Sequence, residues 1–146
     1  MKLSRTVAYA VQATLQLARS PQNGPTPCSR LAAEGQMPER FLLQILRNLV
    51  THGILQSTRG VDGGYTLDRN PEDISLLEVI EAIDGPLAPS IPLGEGLEAD
   101  AQQRLRNALE QVTSTSRDQL SAIKLSQLML PAPPKAAASR RRDRGK

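Results

Sequence analysis

The stretch Ile54-Leu55-Gln56-Ser57-Thr58-Arg59-Gly60-Val61-Asp62-Gly63-Gly64-Tyr65-Thr66-Leu67 holds two short apolar runs, 54–57 and 65–67, around a glycine-rich tip. That pattern predicts a β-hairpin. Gly60, Gly63 and Gly64 admit backbone conformations closed to other residues. Such a tip can lie flat against a sugar-phosphate wall while Arg59 enters a narrow minor groove. A tight turn that needs glycine only for steric reasons would read the same way. A nucleotide-binding loop does not fit: the spacing matches neither G-x-G-x-x-G nor G-x-x-x-x-G-K-[ST], and no helix follows to hold a phosphate.

Upstream, apolar residues at Val7, Ala10, Val11, Leu15 and Ala18 give the stripe of an amphipathic helix from Ser4 to about Arg19. Thr26 offers an N-cap and Pro27 a first helical position for a short second helix that Gly35 breaks. A third helix is expected from about Pro38 with Phe41, Leu42, Ile45, Leu46 and Leu49 on one face, ending at Gly53 in a left-handed cap. Helix, short helix, turn, helix and hairpin is the order of a winged helix-turn-helix, whose third helix enters the major groove by its N-terminal residues. Glu39, Arg40, Gln44 and Arg47 lie opposite the apolar stripe and are the candidate reading positions. Gln44 can pair bidentately with adenine, and Arg40 or Arg47 can contact guanine or phosphate. A purely solvated helix face would carry the same residues.

Downstream, Ser75 and Glu78 form an S-x-x-E capping box with Ile74 and Val79 placed for a hydrophobic staple, starting a fourth helix that Gly85-Pro86 ends near Asp84. Residues 85–97 form a loop with three Pro and three Gly. A long helix is expected over 98–130. Its stripe of Leu105, Leu109, Val112, Ser116, Leu120 and Ile123 advances by fours and threes, as a seam between two copies would. The run Thr113–Ser116 has poor helix propensity and is a place for a kink or a division. The low-complexity tail 131–146 is expected to be disordered, and its arginines suit either nonspecific DNA affinity or solubility. The expected organisation is mainly α: a winged helix-turn-helix DNA-binding domain at 1–84, a loop at 85–97, a dimerisation helix at 98–130 and a basic tail at 131–146.

Composition narrows the function classes. Aromatic content is 2%, with no Trp, one Phe and two Tyr, so the core must be built from Leu, Ile, Val and Ala. Net charge is +4 over residues 1–69, −6 over 70–130 and +5 over 131–146, so the N-terminal half is the part suited to approach a polyanion. One cysteine excludes an intrachain disulfide and a cysteine-built zinc site, and fits a reducing cytoplasm. The first twenty residues are amphipathic rather than continuously apolar, unlike a signal peptide, and no run is long enough for a membrane span. Cys28, in the first turn of the second helix, is either a redox-sensitive thiol or a small packed residue. His52 suits a hydrogen bond at a helix end rather than a metal, and no metal site is expected. Glu78 caps, while Glu72, Asp73 and Glu81 suit a solvated face, so no catalytic carboxylate pair emerges and the chain does not read as an enzyme.

These residues resemble a known family. Arg59-Gly60-Val61-Asp62-Gly63-Gly64-Tyr65-Thr66-Leu67 is similar to the wing signature of the Rrf-two family of bacterial regulators (the IscR, NsrR and CymR type). Met1-Lys2-Leu3-Ser4 with Tyr9-Ala10 resembles that family's start. Phe41-Leu42-Leu43-Gln44-Ile45-Leu46 and Ile74-Ser75-Leu76-Leu77-Glu78-Val79-Ile80 resemble its third and fourth helices. The resemblance covers residues 1–85. It implies a homodimeric regulator, a repressor, that binds double-stranded DNA at a palindromic operator, its last helix crossing to the partner. By position, Gln44 would face bases in the major groove, Arg59 and Gly60 the minor groove, and Lys2 and Arg40 the backbone. Many members hold an iron–sulfur cluster on three cysteines in the loop after the fourth helix. Here that loop has none, and Ala8 and Ala33 occupy positions where some members supply a non-cysteine ligand. Cluster iron needs thiolates, so no cofactor is expected, and the signal would come from a regulatory protein or a small molecule. A winged-helix interaction module whose DNA binding is secondary is the alternative.

Overall fold

In the computed structural model, which describes residues 2–21, 24–89 and 95–129, the first helix begins where Ser4 caps it. The Ser4 hydroxyl accepts from the Val7 amide at 3.2 Å, and α1 runs Arg5–Arg19. Its stripe buries Val7, Ala10, Ala13 and Leu17.

The second helix, α2 (Cys28–Gly35), differs from expectation at both ends. Pro27, not Thr26, is its N-cap. Thr26 instead pairs with the hairpin: its amide donates to Tyr65 O at 3.0 Å and its carbonyl accepts from the Tyr65 amide at 2.8 Å. Two backbone bonds outweigh one hydroxyl cap. Gly35 does not break the helix. It ends it in helical conformation, and Gln36 takes the left-handed turn at φ +53°. At Gly35 the side-chain ends of Met37 and Gln12 approach closely, so a Cβ there, 2.6 Å from Met37 Cε and 2.7 Å from Gln12 Nε2, would make both move aside. Gln12 Nε2 donates to Gly35 O at 2.8 Å, fastening α2 to α1.

The third helix, α3 (Glu39–Thr51), starts at Pro38 as expected and buries Leu42, Ile45, Leu46 and Leu49. Gly53 follows with φ +73°. Phe41 corrects the sequence reading, since it is 68% exposed rather than part of the core stripe. At 100° per residue it lies about 90° from the mean direction of the four buried side chains, too far round for the core to cover. The hairpin pairs β1 (Leu55–Thr58) with β2 (Gly64–Leu67) antiparallel, Leu55 opposite Leu67 and Thr58 opposite Gly64. It is rooted on α3 through the Ile54 amide, which donates to Leu49 O at 2.9 Å.

The fourth helix, α4 (Leu76–Asp84), carries the expected capping box: the Glu78 amide donates to Ser75 Oγ at 3.1 Å and the Ser75 amide to Glu78 Oε2 at 2.8 Å. Ile74 and Val79 are fully buried, as a staple requires. Gly85 ends the helix.

The last helical segment departs furthest from expectation. The helix α5 (Ala99–Ala122) passes unbroken through Thr113–Ser116, where Thr115 Oγ1 bonds back to Gln111 O at 3.1 Å. It stops well short of residue 130. The chain turns extended at Ile123–Lys124, the Leu76 amide donates to Ile123 O at 2.8 Å, and the Leu125 amide donates to Ile74 O at 2.9 Å. A final turn, α6 (Leu125–Leu128), then buries Leu125 completely in the main core. Leu120 is also buried, against Val7, Leu77 and Ile80 of its own chain. Leu120, expected on a seam between copies, is thus taken up in docking α5 against α1 and α4, while Ile123 is half-buried and engages Leu76 through its backbone carbonyl. The N-terminal part of the stripe stays open, with Leu105 37% and Val112 62% exposed and Leu109 half-buried.

The main core is aliphatic, drawn from α1 to α4, β1 and α6, with Tyr9 and Tyr65 only at its margin. Leu130 and the tail 131–146 lie outside the described residues, as do Gln22, Asn23 and 90–94 of the loop.

Candidate nucleic-acid interface

Two short elements hold α3 in position. The α2 helix lies against its start, with Cys28 Sγ 3.8 Å from Glu39 O, which it reaches as a donor. The hairpin continues from its end. Between them α3 turns Arg40, Gln44 and Arg47 to solvent, with Glu39 exposed in the first turn. Among the described residues no carboxylate lies within ion-pair distance of Arg40, Arg47 or Arg59, whereas Arg30, Arg69 and Arg117 pair with Glu34, Glu78 and Glu81. Guanidiniums without a carboxylate partner are free to take phosphate or guanine edges. Lys2, also exposed, precedes α1.

Gln44 is pre-oriented. Its Nε2 donates to Asn48 Oδ1 at 3.2 Å, one helical turn on. Asn48 is thus a member of the polar face that the sequence reading omitted; its spacing of four from Gln44 was the available signal. Phe41, placed in the core by that reading, precedes Gln44 by three residues and shares its row.

The tip of the wing is built by glycines in two distinct ways. Gly60 takes φ +112° in open space, and its carbonyl accepts from the Gly63 amide at 3.0 Å. Gly63 and Gly64 are needed for close approach. A Cβ on Gly63 would lie 2.1 Å from Thr58 O, and one on Gly64, at φ +152°, 2.3 Å from the Thr26 carbonyl carbon. Arg59 and Val61 are exposed at the tip.

Burial pushes the Cys28 thiol above the ordinary 9.0, and the charge of Glu39 adds to this, opposite in direction to the lowering expected at a helix N-terminus. The half-buried thiol fits a packed residue rather than a reactive one. His52 Nδ1 lies 2.8 Å from Asn48 O, the expected helix-end contact.

Two helices joined by a tight turn, the second leading into a hairpin, define a winged helix-turn-helix protein. A family model described as "Rrf2: Iron-dependent Transcriptional regulator" matches residues 3–131, and the chain belongs to that family of DNA-binding transcriptional regulators. It is 41% identical over 96 residues to a Mycobacterium tuberculosis protein provisionally named an HTH-type transcriptional regulator, a match over 66% of this chain and 60% of that protein's length. It is 30% identical over 125 residues to the HTH-type transcriptional regulator CymR of Bacillus subtilis, covering 84% of this chain and 91% of that one. The solved structure of CymR, titled the global cysteine regulator of B. subtilis, superimposes with a TM-score of 0.72 at 26% identity, over 88% of this chain and 96% of the other. These relatives are named as regulators rather than enzymes. Among the described residues no helix is long and apolar enough to cross a membrane.

The family description invokes iron, and the donor set here does not fit an iron–sulfur cluster. The whole chain offers one cysteine and one histidine. That cysteine sits in α2, its Sγ turned toward Glu39 O at 3.8 Å. Thiolates are the ligands such clusters require.

Proposed function

We propose that this chain is a homodimeric repressor that recognises a palindromic operator and works without an iron–sulfur cluster. One observation carries the reading: an α3 face of Arg40, Gln44 and Arg47 stands beside a glycine-built wing whose Arg59 has no carboxylate partner among the described residues. In this assignment α3 enters the major groove, Gln44 accepts from and donates to an adenine edge, and Arg40 and Arg47 take guanine or phosphate. The wing lies along the backbone with Arg59 in the minor groove, and Lys2 contacts a phosphate. The exposed Leu105 and Val112 of α5, with the half-buried Leu109, pack against the same residues of a second copy, which spaces two reading heads for a two-fold site.

Selection of bound sequences from random duplex DNA tests the reading directly. Wild type is expected to recover a palindrome, and Arg59→Ala to bind it at least tenfold more weakly. Recovery of no preferred sequence, or undiminished affinity of the Arg59→Ala protein, would overturn it. Cluster-free operation is tested by an anaerobic absorbance spectrum of the purified protein, where a visible chromophore with stoichiometric iron would refute it.

A further inference from the structure

The α3 helix carries an apolar side chain that the fold does not use. Phe41 is the one phenylalanine of the chain, and it stands 68% exposed in the first turn of that helix. This is the part of a recognition helix that reaches base edges. Three residues on in the same row is Gln44, whose amide is oriented by Asn48 at 3.2 Å. The exposed residues around the row are Arg40 on one side and Arg47 one turn further on, with one acid, Glu39, also exposed in the first turn.

We propose that Phe41 reads thymine, its ring packing on the 5-methyl group that distinguishes thymine in the major groove. This rests on the operator-binding reading above and adds to it a base identity and a residue. The chemistry is complementary along the row. A carboxamide can pair bidentately with adenine N6 and N7, and an apolar side chain is the group that contacts a thymine methyl. The rise of three helical residues, about 4.5 Å, is close to one base-pair step of about 3.4 Å. Phe41 and Gln44 therefore address neighbouring A·T pairs in each half-site. The arginines keep the surface suited to the polyanion, while the ring buries more apolar area when the methyl is present than when it is absent.

The test uses the full chain and the duplex recovered by selection, with each thymine replaced in turn by deoxyuridine, which deletes only the methyl. Wild type is expected to lose about fourfold in affinity per half-site at one position, the worth of one buried methyl group. Phe41→Ala is expected to bind the thymine duplex more weakly and to show no preference between thymine and deoxyuridine at that position. Its melting temperature should stay within about 2 °C of wild type, as for an exposed site. A wild type indifferent to every deoxyuridine, or a Phe41→Ala protein that keeps the full thymine preference, would overturn the assignment while leaving operator binding standing. Failure to select any preferred duplex would remove both.

Discussion

Replacing Gly64 by alanine is expected to detach the wing from the body of the protein. The new Cβ would lie 2.3 Å from the Thr26 carbonyl carbon, 2.4 Å from its oxygen and 2.6 Å from Pro27 N, all backbone atoms that cannot rotate aside. Thr26 and Tyr65 exchange two backbone hydrogen bonds, at 3.0 and 2.8 Å, and the clash falls on this pairing. Losing both costs about 2 kcal/mol at about 1 kcal/mol each. Holding a residue with a side chain at φ +152° adds about 1 kcal/mol more. A loss of roughly 3 kcal/mol in a chain of this size lowers the melting temperature by about 10 °C. Gly60→Ala is the control: it has a positive φ but nothing within 4 Å, so only about 1 kcal/mol is expected. Thermal unfolding at matched protein concentration, with amide exchange at Thr26 and Tyr65, measures both effects. A Gly64→Ala protein melting within about 2 °C of wild type, with those amides still protected, would refute the argument.

Gln36→Gly should raise stability by about 1 kcal/mol, because Gln36 holds the left-handed α2 cap at φ +53° where glycine is unstrained; chemical denaturation reads this. Glu78→Gln should destabilise at neutral pH and matter less in acid. Burial pushes the Glu78 carboxyl up, but the Ser75 amide and then Arg69 outweigh it and hold it below the ordinary 4.5. A depressed carboxylate stabilises above that ordinary value and loses its contribution as the pH falls through its own lowered pKa, so the difference between the two melting curves should narrow as the pH drops below 4.5. Leu120→Ala and Val112→Glu should separate docking from dimerisation. The first removes a buried side chain from the cluster with Val7, Leu77 and Ile80, costs about 2–3 kcal/mol and leaves association intact. The second, at a side chain 62% exposed, should leave the helical content unchanged and yield monomers in sedimentation.

The fold was largely legible because its signals are local. The Ser75–Glu78 box, the Ser4 cap, the Gly53 and Gly85 stops and the apolar stripes act within a few residues, where spacing alone decides geometry. The glycine tip was legible for the same reason, although sequence could not distinguish Gly60, which has open space around it, from Gly63 and Gly64, which backbone atoms crowd. Polar positions on α3 followed from helical phase. The same phase sets Phe41 off the core stripe, and its hydrophobicity, which says only that a side chain prefers burial, is what placed it wrongly in the core.

What sequence by itself determined, then, is the order of helices and hairpin, the aliphatic core and the cationic character of the reading head. Tertiary structure decided the rest: that Thr26 pairs with Tyr65 instead of capping α2, that Gly35 closes α2 onto Gln12, and that the last helix ends at Ala122 so that Leu125 can fill the core. In each case the deciding partner lies tens of residues away, and backbone pairing or complete burial against it exceeds the few tenths of a kcal/mol per residue by which local propensity differs.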